Sequence, residues 1–345
     1  MISSCKKVIL VSWNTFFEIL TEAVNLRFAA FIYVLLLLAF TSMSAQSRWS
    51  VSSTGEKGDL VAVYFTSADR GFIAGDAGYL ASTTDGGKSW TKYPLNTPED
   101  INEIYFRNDD NGYLVAGRKM FITRDGGRTW QETRIFRAGQ FSTGTPEFLS
   151  IRFADKKRGV VIGSILNRDG DVIDSLAMKT EDGGDSWQRI IVPSKKELIH
   201  LDFNGSSHGW IVGDEGVIFA TTDGGEIWRA QSSGTKMPLY NVDFRDDDEG
   251  YAVGKAGTIL RTENGGATWE KVTTNFRETF LRVDFADDKN GWIVGYGGAI
   301  LRSSDKGRTW VRQESNTRAH LYGLYMTKKF GCTVGAAGTI LKYSK

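Results

Sequence analysis

Three aspartates, Asp202, Asp243 and Asp284, each stand directly before a phenylalanine in an apolar segment, and they recur at intervals of 41 residues. Carboxylates on neighbouring inward strands are the pairing that glycoside hydrolysis needs, one as acid and one as base or nucleophile. A second acidic set sits in an eight-residue phrase, TTDGGKSW, TRDGGRTW, TEDGGDSW, TTDGGEIW, TENGGATW and SSDKGRTW. It carries Asp85, Asp125, Asp182, Asp223, Asn264 and Asp305 and ends on Trp90, Trp130, Trp187, Trp228, Trp269 and Trp310. These copies read as hairpin turns: Gly takes positive φ without steric cost, Asp accepts the turn's own amides, and Trp covers the hairpin while its indole N–H seeks an acceptor. Asn264 suits a hydrogen-bonding role better than an obligatory charge. The equivalent placement of Asp202, Asp243 and Asp284 in three consecutive copies likewise favours repeat architecture over catalysis.

Other reactive groups are sparse. His200, His208 and His320 have no partner at i, i+4 and no neighbouring Cys, so metal-ligand spacing is absent and each is expected on the surface or rim. Gly75 to Gly78 and Gly295 to Gly298 lack the following helix of a phosphate loop. Cys332 stands where other copies carry Phe72, Tyr113, Trp210, Tyr251 and Trp292, which predicts a buried, unpaired thiol. No cofactor or metal is expected. The composition, 39 Gly, 5 Pro and 2 Cys in 345 residues with a net charge of +1, is that of a globular Gly-rich protein and supplies no disulfide framework. Near-neutrality removes the phosphate attraction on which nucleic-acid binding depends.

The elements that position these residues come from the spacing. The closing tryptophans are separated by 40, 57, 41, 41 and 41 residues. Ahead of each phrase lie an apolar-x-Phe strand, a tight turn, Gly plus a large residue, and a Val-Gly step into a further strand. Four short alternating segments per unit, with no crossover helix, make one blade of a β-propeller. The Gly-plus-large-residue step at Gly71, Gly112, Gly159, Gly209, Gly250, Gly291 and Gly331 counts seven blades. The seventh lacks its closing phrase, and Arg48 to Ser53 is predicted to supply that strand because Trp49 lies 41 residues before Trp90. Residues 46–345 are thus expected to form one all-β, seven-bladed propeller of four-stranded antiparallel blades, closed by the N-terminal strand and without free edges.

The phrase T-x-D-G-G-x-[ST]-W resembles the Asp-box, or bacterial neuraminidase repeat. Combined with G-[WY]-x-V-G-x-x-G-x-I-L at a 41-residue period, it resembles the photosystem II stability and assembly factor family of seven-bladed propellers over about residues 48–345. The resemblance implies a non-enzymatic binding or assembly scaffold and names no client, since fold does not imply function. Sialidases also carry Asp-boxes, but the Phe-Arg-x-Pro step that such an enzyme would resemble is missing, Phe136 and Arg137 being followed by Ala138 and Gly139. A sialidase-like or glucan-cleaving hydrolase using a carboxylate pair in the central funnel remains the alternative.

Residues 1–45 are of another kind. An apolar run from Phe28 to Thr41 follows Arg27 and precedes Ser42, Ser44 and Ala45, the pattern of a signal peptide with a mature start near Gln46. The run is short for a bilayer span, and no cysteine follows it to accept a lipid. The stretch ahead of Arg27 exceeds an ordinary leader, which suggests a later translation start. The product is expected to be exported, extracytoplasmic and monomeric, touching membrane only through this segment.

Loops between second and third strands, and those between blades, should share one face, here called the top, with the Asp turns on the bottom. The two breaks in period, Gln131 to Leu149 and an extended turn from Ser164 to Ser175, both fall on top, and repeat-specific insertions commonly mark a binding face. Arg134, Arg137, Arg168, Lys195, Lys196, Arg277 and Arg318 also fall there, with Phe141 and Phe148 as apolar anchors, whereas the run Asp246 to Glu249 falls on the bottom. This polarity predicts a protein or peptide partner, acidic or carboxylate-bearing, gripped by paired guanidinium bonds.

Overall fold

Glycine decides how each blade begins its second strand. A Cβ on Gly250 would lie 2.3 Å from the Phe244 ring, so only glycine lets the phenylalanine that ends the inner strand fold flat against its own sheet. The large residue that follows points to the other side: Tyr251 stacks on Phe285 of the next blade at 4.1 Å. The same step stacks Phe72 on Phe106, Tyr113 on Phe153 and Trp210 on Phe244, whereas Val160 and Cys332 take the position in blades three and seven.

The computed structural model describes residues 49–344; the leader and the start near Gln46 lie outside the described residues. Seven four-stranded antiparallel sheets make up the fold. Their inner strands, blades one to seven, are Leu60–Phe65, Ile101–Phe106, Thr145–Phe153, Leu198–Asn204, Leu239–Phe244, Phe280–Phe285 and Leu321–Met326. Among the described residues no helix is long and apolar enough to cross a membrane. Trp49–Ser53 forms the outer strand of blade seven, running antiparallel to Thr339–Ser344 from Trp49 opposite Tyr343 to Ser53 opposite Thr339. Trp49 is buried, its ring 5.3 Å from that of Tyr343.

The Asp turns are built as their residue types require. Asp125 Oδ1 accepts from the Thr129 N–H at 2.9 Å and from the Thr123 hydroxyl at 2.8 Å, and Oδ2 accepts from the Thr129 hydroxyl at 2.6 Å. These bonds, the Thr129 hydroxyl foremost, hold the carboxyl down at about 2. Asn264 repeats the arrangement, with Nδ2 donating to the Thr268 hydroxyl at 2.9 Å. The indoles behave less uniformly than expected. Trp187, Trp269 and Trp310 donate to acceptors, whereas the buried N–H groups of Trp90, Trp130 and Trp228 have none among the described residues. Ring packing holds Trp130 instead, edge-on to Phe106 at 5.8 Å.

Ser164 to Ser175 is not a loop. Ser164 pairs with Ser175 and Leu166 with Val172 in a lengthened hairpin that turns only at Asn167 to Asp171. Ile165 stays buried in the core beyond Ser164, and Thr145 to Phe148 pairs along this extension. Blade three therefore rises above the others as sheet, not as irregular chain.

Candidate functional site

Strand alternation brings two rings of side chains to the axis. The position before the last phenylalanine of each inner strand, or before Met326 in blade seven, gives Tyr64, Tyr105, Arg152, Asp202, Asp243, Asp284 and Tyr325, and the position two earlier gives Ala62, Glu103, Ser150, His200, Asn241, Arg282 and Gly323. Most of these line an axial cavity of about 230 Å³. Both rings act as rungs between blades. In the first ring Asp202 accepts from Phe244 N–H at 2.8 Å, Asp243 from Phe285 N–H at 3.1 Å and Asp284 from Met326 N–H at 2.6 Å. In the second, Glu103 accepts from Ile151 N–H at 2.7 Å, Ser150 from Leu201 N–H at 3.3 Å and Asn241 from Val283 N–H at 3.0 Å. The recurrence of the aspartates is thus architectural: each ties its blade to the next.

His200 corrects the expectation of a surface histidine. It is 4% exposed inside the second ring, with Nδ1 facing Val242 N–H at 3.5 Å and Nε2 3.5 Å from Glu103 Oε1. Lying two residues before Asp202 on an inner strand, it shares that face; a search for metal partners alone overlooked this signal. Burial, with Arg152 nearby, pushes its pKa down to about 4. Arg152 binds Glu103 at 2.7 Å and lies over the Tyr105 ring at 5.1 Å. Burial raises Asp202 to about 6 and Asp284 to about 7, and burial with the Asp284 and Asp202 charges raises Asp243 well above the carboxylate range. Cys332 is buried and unpaired, its thiol pushed up to about 12 by burial. Among the described residues no group of three or more His, Cys, Asp or Glu is arranged to hold a metal ion.

The top face is organised as expected: Asp76, between second and third strands, donates its N–H to Asp59 O ahead of the first strand, while Gly86 of the Asp turn reaches Asp69 on the opposite side. Its charge is not. Asp59, Asp76, Asp100, Glu147, Glu197 and Asp214 occupy the starts of the inner strands and the adjoining turns, so the top is mixed, with basic residues outward and carboxylates nearer the axis. Asp59, Asp100, Glu147 and Glu197 open the inner strands and so lie outside the loops that carry the cations. Arg134, Arg137, Arg168 and Lys195 are exposed around blade three, whereas Lys196 pairs with Glu215 at 2.5 Å. Arg277 and Arg318 are exposed on the connections into blades six and seven, away from the blade-three group. Phe141 is partly buried against Phe136 at 5.2 Å, with Arg189 over its ring at 5.6 Å. Phe148 is fully buried in the core and is unavailable as a partner anchor, because the lengthened hairpin packs over it.

Similarity to known proteins agrees with this geometry. The family described as photosynthesis system II assembly factor YCF48 matches residues 179–279 and 273–344. The chain is a seven-bladed propeller whose C-terminal half resembles the photosystem II assembly factors. This propeller is 24% identical over 179 residues to the photosystem II assembly lipoprotein Ycf48 of Synechococcus sp. (strain CC9902), covering 50% of this chain and 49% of that protein. It is 27% identical over 131 residues to the chloroplastic photosystem II stability/assembly factor HCF136 of Oryza sativa subsp. japonica, 36% of this chain and 29% of that protein. The chain thus spans half or less of the length of these relatives. The solved structure "YCF48 bound to D1 peptide" superposes with a TM-score of 0.70 at 21% identity, covering 86% of this chain and 97% of the other. A xyloglucanase from Xanthomonas campestris shares the fold at 11% identity and a TM-score of 0.65 over 86% of this chain and 54% of its own. Residues 78–215 also match the family described as Sortilin, neurotensin receptor 3.

Proposed function

We propose that this propeller is an exported, extracytoplasmic, non-enzymatic scaffold that binds a protein or peptide through the raised top corner of blade three. The observation that carries this reading is the lengthened hairpin of that blade, with Arg168 exposed on its turn, Arg134, Arg137 and Lys195 exposed on the connections that flank the blade, and Phe141 half-buried. A raised hairpin with exposed guanidinium groups on its turn and on the neighbouring connection suits a carboxylate-bearing segment, which such groups bind through charge-assisted paired bonds. The relatives support the coarse role: one similar structure holds a peptide, and the curated relatives are assembly factors. The hydrolase alternative is weaker, because the three axial aspartates are each engaged by a neighbouring blade and their cavity of about 230 Å³ is below the size of common ligand clefts, roughly 300–1,000 Å³.

The test is affinity capture from the native envelope with the mature protein and with a variant carrying Arg134→Ala, Arg137→Ala, Arg168→Ala and Lys195→Ala. A partner retained by the first and lost by the second is expected. Identical capture by both would place the interaction elsewhere.

A further inference from the structure

Arg282 and Asn241 stand at the same level of the axial cavity on adjacent blades, and neither has the partner its chemistry calls for. Arg282 donates from Nη1 to the Leu281 carbonyl at 2.9 Å and, among the described residues, forms no ion pair. Arg152 at the ring below is different, being neutralised by Glu103 at 2.7 Å. Burial and the like charge of Arg152 pull the Arg282 pKa down, and Glu103 offsets only part of this. Asn241 is 3% exposed; its Oδ1 accepts from Val283 N–H at 3.0 Å, which leaves the amide N–H groups without an acceptor among the described residues while the residue lines the cavity. On the next two blades the wall shrinks to Gly323 and Ala62, which leaves space beside Arg282, while Glu103 on the far side of the ring is held by Arg152.

We propose that the axial cavity binds a small organic carboxylate, held by the Arg282 guanidinium and the Asn241 amide, whose far end carries an ammonium or hydroxyl group. The guanidinium supplies paired charge-assisted donors to the carboxylate, and the amide supplies a further one. The far end is set by the ring below. Asp243 and Asp284 lie two residues further along their strands, roughly 6.6 Å at the usual rise, and they face the same cavity. A donor group there meets carboxyl oxygens that can accept, whereas a second carboxylate would bring a further charge beside acids that burial already keeps from ionising. The volume of about 230 Å³ limits the ligand to a few heavy atoms.

Calorimetric titration of the full chain with 4-aminobutyrate, butyrate, glutarate and butylammonium tests the proposal. Saturable binding is expected for 4-aminobutyrate, with weaker binding of butyrate and weaker still of glutarate. Arg282→Gln should weaken 4-aminobutyrate about tenfold or more, as loss of a charge-assisted bond does. Asn241→Asp keeps the acceptor for Val283 and removes the donor, and should weaken it as well. If Arg282→Gln fails to fold, Arg282→Lys keeps the charge and loses the paired geometry, and a smaller loss is expected. Butylammonium binding as tightly as 4-aminobutyrate, an unchanged affinity in the folded Arg282 variant, or no saturable binding of any carboxylate to folded protein would each overturn the proposal. The blade-three variant with four alanines should bind 4-aminobutyrate like the native chain, so the cavity and the top corner can fail separately.

Discussion

Asp202 on the inner strand of blade four accepts the main-chain N–H of Phe244 on the inner strand of blade five at 2.8 Å. The bond supplies a partner to an edge that no further strand covers on the axial side. Asp202→Asn keeps an acceptor and should leave stability within a few tenths of a kcal/mol, whereas Asp202→Ala strands the Phe244 N–H at a cost of about 1–3 kcal/mol. Urea denaturation of the two variants measures the difference. Neither substitution should reveal or abolish turnover of sialosides or β-glucans; activity present in the native chain and absent in Asp202→Asn would restore the hydrolase reading.

The axial carboxyls make stability fall as pH rises. In the unfolded chain they ionise near 4, while in the fold burial holds Asp202 at about 6 and Asp284 at about 7 and raises Asp243 strongly. The folded state keeps protons that the unfolded chain has released, so stability is lost between about pH 4 and 7. His200 has the opposite slope: its folded pKa of about 4 lies below the unfolded value of about 6.5, so its contribution is lost as pH falls through that window. Asp243→Asn isolates the carboxyl effect. Relative to the native chain it should be stabilised at pH 8 and little changed at pH 4, read from denaturation midpoints at both; equal offsets at both pH values would show that the Asp243 carboxyl is not raised.

Removing residues 46–54 deletes the outer strand of blade seven and exposes the Thr339–Ser344 edge. Loss of Trp49 burial alone is worth about 2–3 kcal/mol, so a large drop in melting temperature and a tendency to associate are expected. A truncated chain that melts with the intact one would rule out closure by this strand.

In the second Asp turn, Asp125→Ala removes the acceptor for Thr129 N–H and should cost about 1–2 kcal/mol. Asp125→Asn should cost much less, because Asn264 already makes the same turn with its amide donating to Thr268. Thermal denaturation of the pair decides between a hydrogen-bonding and a charge requirement.

The ring was legible because its local constraints recur: the step at Gly71 is written seven times, the Asp phrase six times, and the 41-residue offset from Trp49 to Trp90 matches their period. The axial site was harder to read. Glu103, His200, Asn241 and Arg282 occupy one repeat position with four different chemistries, so periodicity marks the position and says nothing of what the residues do together. Phe148 misled for a related reason: its place in an apparent insertion suggested exposure, while the insertion was in fact additional paired strand. The mixed charge of the top face depended on Asp59, Glu147 and Glu197, which belong to strand starts and not to the loops where cations were sought.

The pairing of Ser50 Oγ with Lys342 O spans 292 positions. A ribosome or translocon delivers the chain in order, so the Trp49 strand emerges before all six intervening blades and must stay unpaired until the final hairpin arrives. Such distant contacts are slow to form, and waiting strands are prone to wrong partners. Maturation is therefore gated by the last few residues, and cutting short even the final strand should yield an open, sticky arc in place of a slightly smaller ring.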